Sequence, residues 1–226
     1  MNLNIPYMET DNKLLNDAYR IAAGDIVGNI VYYQNGLLTE EKPCMIAGLD
    51  YNTPWTRDTA INIWNALSIL SPEVSKNTLL AVLEEEEGNI YIGGQYWDSI
   101  IWMIGAREYC RFHKDDNFYR LAFEAGRNSV HRLEEDEFDE EDGLFRGPAV
   151  YGDGIAAYPD KYSKCPNQGS GILEWVDYPG NPVYPKGYGI PMKALSTNCV
   201  YFKAYEILAE MAHALGEPAK EFEEKA

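Results

Sequence analysis

The sequence predicts an all-α chain built from consecutive antiparallel helical hairpins. Three observations predict it. Apolar residues recur at three- and four-residue steps through most of the chain, the spacing that gives a helix one apolar face. Helix punctuation recurs between these stretches, as Ser71-Pro72, Gly88 and Gly216. The turns alternate in kind, one class short and plain, the other long, aromatic and charged, as expected when alternate turns of a hairpin array fall at opposite ends.

Taken in order, a first helix is expected over Leu14–Tyr33, ended by Gly36 and the Thr39–Pro43 stretch. A loop over Ile46–Arg57 leads to a second helix, Asp58–Leu70, with Ile63, Leu67 and Leu70 on one stripe. Ser71 as N-cap and Pro72 at the first helical position start a third helix, which runs to about Glu87 and stops at Gly88. Asn89–Tyr96 is a loop with room for a short strand at Ile90–Ile92. Helices over Asp98–His113 and Asn117–Glu135 follow, joined by the turn Lys114–Asp116. Residues 138–195 form a long loop region rich in Gly, Pro, Tyr and Asp. Ser196–Leu215 is the last full helix, capped by Gly216, and Pro218 opens one more. About seven helices, the last without a partner, read as one domain that is incomplete.

The 226 residues suffice for a sizeable core. Hydrophobic residues at 46% and charged residues at 24% are ordinary for a globular protein. No apolar run is long enough to span a bilayer, so no membrane partner is expected. Residues 1–11 lack a basic stretch followed by an apolar core, so they do not read as a signal peptide. A cytoplasmic location is expected, although a mature secreted form with its signal removed would look the same. With 19 basic against 36 acidic residues the net charge is −17, which argues against nucleic acid and anionic membranes. Two acidic runs, Glu84–Glu87 and Glu134–Asp142, read as solvated helix ends or loops.

Cys44, Cys110, Cys165 and Cys199 form no CxxC pair, and no histidine stands at metal spacing, so neither metal nor cofactor is expected. Cys110 and Cys199 fall inside helical patterns and read as buried thiols. No EF-hand-like spacing is present. Oligomeric state is not legible.

Aromatic residues reach 13%, with 17 Tyr and 5 Trp, and many fall in the long loops. The first such loop ends in Trp55-Thr56-Arg57-Asp58 at a helix start. A Trp face suits the C–H face of a pyranose, and Arg and Asp suit its hydroxyls. Asp58 as a plain N-cap is the simpler reading. The second loop ends in Tyr96-Trp97-Asp98, again an aromatic and then a carboxylate, with a core Trp and a capping Asp as the simpler reading. The third holds Asp142-Gly143-Leu144-Phe145-Arg146 and Tyr151-Gly152-Asp153-Gly154. Glycines on both sides expose the Asp153 carboxyl, or else simply form a turn. On a hairpin array these loops would gather at one end, which predicts a single site on one face.

Four segments resemble a known family. PWTRDTAINIWNAL resembles the Trp-x-Arg-Asp signature of glucoamylases and of the α-1,6-glucosidase part of glycogen debranching enzymes. QYWDSIIWMIGAREY, DGLFRGPAVYGDG and GYGIPMKALSTNCVYFKAYEILAEMA resemble the segments that follow it, in the same order, from Asp50 to Ala212. The resemblance implies an (α/α)6 toroid of twelve helices, of which this chain is the N-terminal half. It implies an inverting glycosidase acting on α-linked glucosides or related oligosaccharides. Asp153 falls at the general-acid position; Trp55, Arg57, Asp58, Tyr96, Trp97, Asp98 and Arg146 fall in the substrate-binding segments. The general base is implied in a late hairpin absent from this sequence. Lys193 stands where debranching enzymes usually carry Glu, a departure from the family's pattern that leaves their precise specificity out of what the resemblance implies. Tyr151, Phe145 and Trp97 are candidates to line the acid's pocket and raise its pKa. Because the fold hosts several chemistries, a carbohydrate-binding protein without hydrolysis, or a phosphorylase or isomerase, is the alternative.

Overall fold

The computed structural model describes residues 5–48, 50–94, 96–150 and 192–226. It is mostly helical, with short two-stranded antiparallel hairpins between helices. The chain divides into two units, one of residues 1–94 and 101–125 and the other of residues 95–100 and 126–226.

The first unit opens with α1 (Lys13–Gly28), where the Asn12 side chain accepts from the N–H groups of Leu14 and Leu15. No residue of α1 is buried, and Leu14, Leu15, Ile21 and Val27 are exposed. The helix stops five residues before the expected Tyr33, at Gly28-Asn29. The β-branched and aromatic run Ile30–Tyr33 instead forms β1, paired with β2 (Lys42–Met45). Gly36, at φ +58°, sits in the loop between them. A Cβ there would lie 2.6 Å from the carbonyl oxygens of Leu80 and Leu83, so only glycine fits. Strand β2 rests on α4 (Pro72–Ala81), with the Met45 N–H donated to Thr78 Oγ1 at 2.9 Å.

The expected helix to Leu70 forms as α2 (Thr56–Asn62), a π-helical turn (Ile63–Leu67) and α3 (Ser68–Leu70). Pro72 opens α4 as predicted, but the Ser71 side chain makes no capping hydrogen bond. Helix α4 ends at Ala81, not near Glu87. Leu83–Glu86 is β3, paired with β4 (Asn89–Ile92), so the expected strand at Ile90–Ile92 has the glutamate run as its partner. The reason lies in the turn: Glu87 (φ 52°) and Gly88 (φ 81°) both take the left-handed conformation that a tight hairpin demands. Glu84–Glu87 are solvated, as their charge requires.

Helices α5 (Trp97–Phe112) and α6 (Asp116–Glu137) contribute to both units. In the first unit a Cβ on Gly105 would lie 2.8 Å from Ala60 Cα, so α5 runs close against α2 there. Trp102 is fully buried and donates its indole N–H to the Leu79 carbonyl. Phe118 of α6 meets Tyr109 edge-on at 5.0 Å.

The second unit contains a small hairpin, β5 (Phe138–Asp139) with β6 (Leu144–Phe145), then α7 (Leu195–Leu215) and α8 (Lys220–Glu223). Gly216 caps α7 in the left-handed conformation, as expected. Phe145 stacks on Tyr201 with centroids 3.6 Å apart and planes 3° apart.

The thiols differ from expectation. Cys199 is exposed on α7, because the buried face of that helix runs through Tyr201, Tyr205 and Leu208 instead. Cys44 is the buried one, and burial pushes its thiol up to about 12; burial pushes the Cys110 thiol up to about 12 as well. Cys165 lies outside the described residues.

Candidate functional site

In the first unit the structure brings Trp55, Arg57 and Asp58 together at the start of α2. Trp55 is the residue before the helix, and Asp58 is its third residue, in the first turn and not at the cap. The Trp55 ring is 45% exposed, with Tyr51 edge-on to it at 6.1 Å. Arg57 Nε stands 3.8 Å from Asp58 Oδ2. Thr56 anchors this helix start by donating its hydroxyl to the Gly93 carbonyl at 2.9 Å. The helix start thus carries a half-exposed aromatic ring at its cap and a cation–carboxylate pair in its first turn, with the carboxylate at the positive end of the helix.

In the second unit the start of α5 repeats the order with different exposure. Asp98 is again in the first helical turn, but only 6% exposed, and Trp97 is 1% exposed. Trp97 is thus a core ring in this structure. Tyr96 takes φ 48°, unusual for a non-glycine residue. Its ring lies against Gly147: a Cβ there would be 3.6 Å from Tyr96 Cδ1 and 3.8 Å from Thr197 Cγ2.

Next to Gly147, Arg146 is held in the β5–β6 hairpin. Its Nη2 donates to Asp139 Oδ2 at 2.6 Å and its Nη1 to the Phe138 carbonyl at 3.4 Å. Lys193 donates to the same Asp139 oxygen at 2.7 Å and to Asp142 at 2.5 Å. The Lys193 hydrogen bond, the Glu141 N–H and the Arg146 charge together hold the Asp139 carboxyl below its ordinary value. Asp139 and Asp142 in turn raise Lys193. Phe145, expected to line a pocket, is buried in the stack with Tyr201. Asp153 and Tyr151 lie outside the described residues.

The residues that sequence reasoning missed stand at the head of α7. The Asn198 side chain accepts the Phe145 N–H at 2.8 Å and donates to the carbonyls of Phe145 (3.1 Å) and Ala194 (3.0 Å). Thr197 donates to the Pro148 carbonyl, and Ser196 Oγ accepts the Val150 N–H at 3.1 Å. The Gly147 N–H is donated to the Met192 carbonyl at 2.9 Å. Residues 145–150 are therefore stitched to 192–198 by side chains and backbone alike. The signal was present as Ser196-Thr197-Asn198: one polar side chain caps a helix, whereas three in a row have other work.

An aromatic groove of about 360 Å³ lies in the same unit, between β6 and α7, lined by Phe138, Leu144, Phe145, Tyr201, Phe202 and Tyr205. The buried phenols of Tyr201 and Tyr205 are shifted up, first by burial and then by neighbouring glutamates. Among the described residues, no group of three or more His, Cys, Asp and Glu side chains is placed to hold a metal ion. Nor is any described helix long and apolar enough to cross a membrane. No protein family, curated protein or solved structure matches the chain.

Proposed function

We propose that this chain is the sugar-handling part of a six-hairpin glycoside hydrolase that opens α-linked glucosides with inversion. The observation that carries the reading is the construction repeated at two helix starts. Trp55 and Asp58 begin α2, and Tyr96, Trp97 and Asp98 begin α5, so each carboxylate falls in a first helical turn. There the positive helix end favours a carboxylate, and Asp58 is open enough to accept hydrogen bonds from sugar hydroxyls. The half-exposed Trp55 ring supplies the apolar face for a pyranose. At the second helix start Trp97 and Asp98 are both buried and Tyr96 is partly so.

In this reading Asp153 donates its proton to the glycosidic oxygen as the C–O bond breaks. Water adds from the opposite face and gives its proton to a second carboxylate, supplied from outside these residues. Arg146 holds the hairpin from which the Asp153 segment departs. A second reading is carbohydrate binding without hydrolysis. It is favoured by Lys193, which engages both Asp139 and Asp142, so that neither is placed to act as a base.

The test is calorimetric titration of this chain with maltotriose and isomaltose, with cellotriose as control. Binding of an α-glucoside is expected, and Trp55→Ala should weaken it about tenfold through the lost ring contact. No heat from either α-glucoside at about 10 mM would overturn the reading, since that limit lies beyond ordinary sugar-site affinities. Turnover by the wild-type chain would place the base within these residues and exclude the second reading.

A further inference from the structure

Helix α1 has 16 residues and a length of about 24 Å, yet none of its residues is buried. One side of it is lined by the residues that precede it. Asn16 Oδ1 accepts the Thr10 N–H and the Thr10 hydroxyl, both at 2.9 Å, and the Tyr19 hydroxyl donates to the Pro6 carbonyl. Ala23 and Ile26 continue that side, half-buried. A second side carries the charges, where Lys13 and Arg20 both pair with Asp17. The third side is open and apolar. Leu14, Ala18 and Ile21 follow at steps of four and three residues, with Leu15 and Ala22 beside them, so that one face holds all of them. Leu14 is 78% exposed, Ile21 65% and Leu15 49%. The stripe ends on one charge, Asp25. A helix of this length draws its stability from packing, so an apolar side left to water calls for a cover.

We infer that a second copy of this chain covers this face, its α1 lying antiparallel to the first across a two-fold axis. The stripe is complementary to itself in that arrangement. With the axis between residues 19 and 20, Ala18 of each copy stands level with Ile21 of the other. Leu15 of each copy falls within a turn of Ala22 of the other. Each large side chain thus meets a small one, the interdigitation by which helices pack closely. The charge agrees with the shape. Asp25 has no ion pair in its own chain, and the same register brings it level with Leu14 and beside Lys13 of the other copy. A membrane surface is a poorer match for this face. It asks for free cations on the polar side of the helix, whereas Lys13 and Arg20 are both engaged by Asp17 and the chain carries a net charge of −17.

The experiment is sedimentation velocity on the whole chain from about 5 to about 500 μM, in about 0.15 M salt to screen the net charge. One pair of helices lies at the small end of specific interfaces, so a monomer–dimer Kd on the order of 10–100 μM is expected. Ile21→Ala should weaken association about tenfold, because each dimer loses the contact twice. Ala18→Ile should weaken it by a similar factor, because large then meets large. The double variant Ala18→Ile/Ile21→Ala exchanges the two sizes and should return to within about threefold of the wild-type Kd. Both positions are exposed, so the far-ultraviolet circular dichroism of each variant should match the wild type. A chain that stays monomeric over the whole range would overturn the inference. So would a dimer that Ile21→Ala leaves unchanged. A double variant no tighter than the weaker single one would also overturn it, since Ala18 would then not face Ile21 of the other copy.

Discussion

Replacing Asn198 by alanine deletes the side chain that faces β6 like an added strand. Three hydrogen bonds go: the one accepted from the Phe145 N–H, and the two donated to the carbonyls of Phe145 and Ala194. Phe145 is buried, so its N–H and C=O are left beside an apolar methyl with no access to bulk water. A net value of about 0.5–1.5 kcal/mol per bond, with the added penalty of stranded buried groups, puts the loss at roughly 2–4 kcal/mol. For a chain of this size that corresponds to a fall in Tm of roughly 5–15 °C. Helix propensity works the other way by a few tenths of a kcal/mol, since alanine is the better helix former, and does not change the sign. Thermal and urea unfolding followed by far-ultraviolet circular dichroism would measure it. Asn198→Asp is the informative companion: its carboxylate can still accept from Phe145 N but meets the two carbonyl oxygens without a proton to offer, so it should recover only part of the loss. An Asn198→Ala midpoint within 0.5 kcal/mol of wild type, well under one such hydrogen bond, would refute the view that this residue ties α7 to the hairpin.

Two further predictions follow from the charges and thiols. In the native protein at pH 7.5 iodoacetamide should label exposed Cys199 readily and leave Cys44 untouched, because burial both covers the Cys44 sulfur and withholds its thiolate; mass spectrometry of the digested protein reads this out, and equal labelling of the two would contradict their placement. Asp139 has a folded pKa below its unfolded value, so the stability it contributes is present above the unfolded value near 3.8 and is lost as pH falls through the folded one. Lys193→Met removes the first cause of that depression, so its unfolding midpoint should depend less on pH below about 4 than that of the wild type, and parallel acid titrations would contradict the pairing.

The helices most legible in the sequence were those with strong apolar periodicity and explicit ends. Pro72 opened α4 and Gly216 closed α7 where expected, because each residue acts through its own backbone geometry. Two helix ends were misplaced, after α1 and after α4, and both errors have one cause. Ile30–Tyr33 and Leu83–Glu86 are four-residue runs that continue a helical pattern as well as they begin a strand, and the partner across the hairpin decides between them. The partners are Lys42–Met45 and Asn89–Ile92, and pairing with them supplies backbone hydrogen bonds that no local preference encodes.

Of the candidate site, residue type and spacing by themselves determined that Trp55, Arg57 and Asp58 would share one helix start, because they lie within four residues of one another and a helical turn keeps such neighbours together. The same local logic put Asp98 in the first turn of α5. Exposure was decided only by the tertiary structure. Trp55 and Trp97 stand in similar local sequences, yet one ring is half open and the other is core, since burial depends on what packs over a residue from distant parts of the chain. The clamp of Lys193 and Asn198 on residues 139–145 was likewise invisible, because its partners are more than fifty residues apart and a pairing of that range becomes readable only when the fold has brought both ends of the loop to the head of one helix.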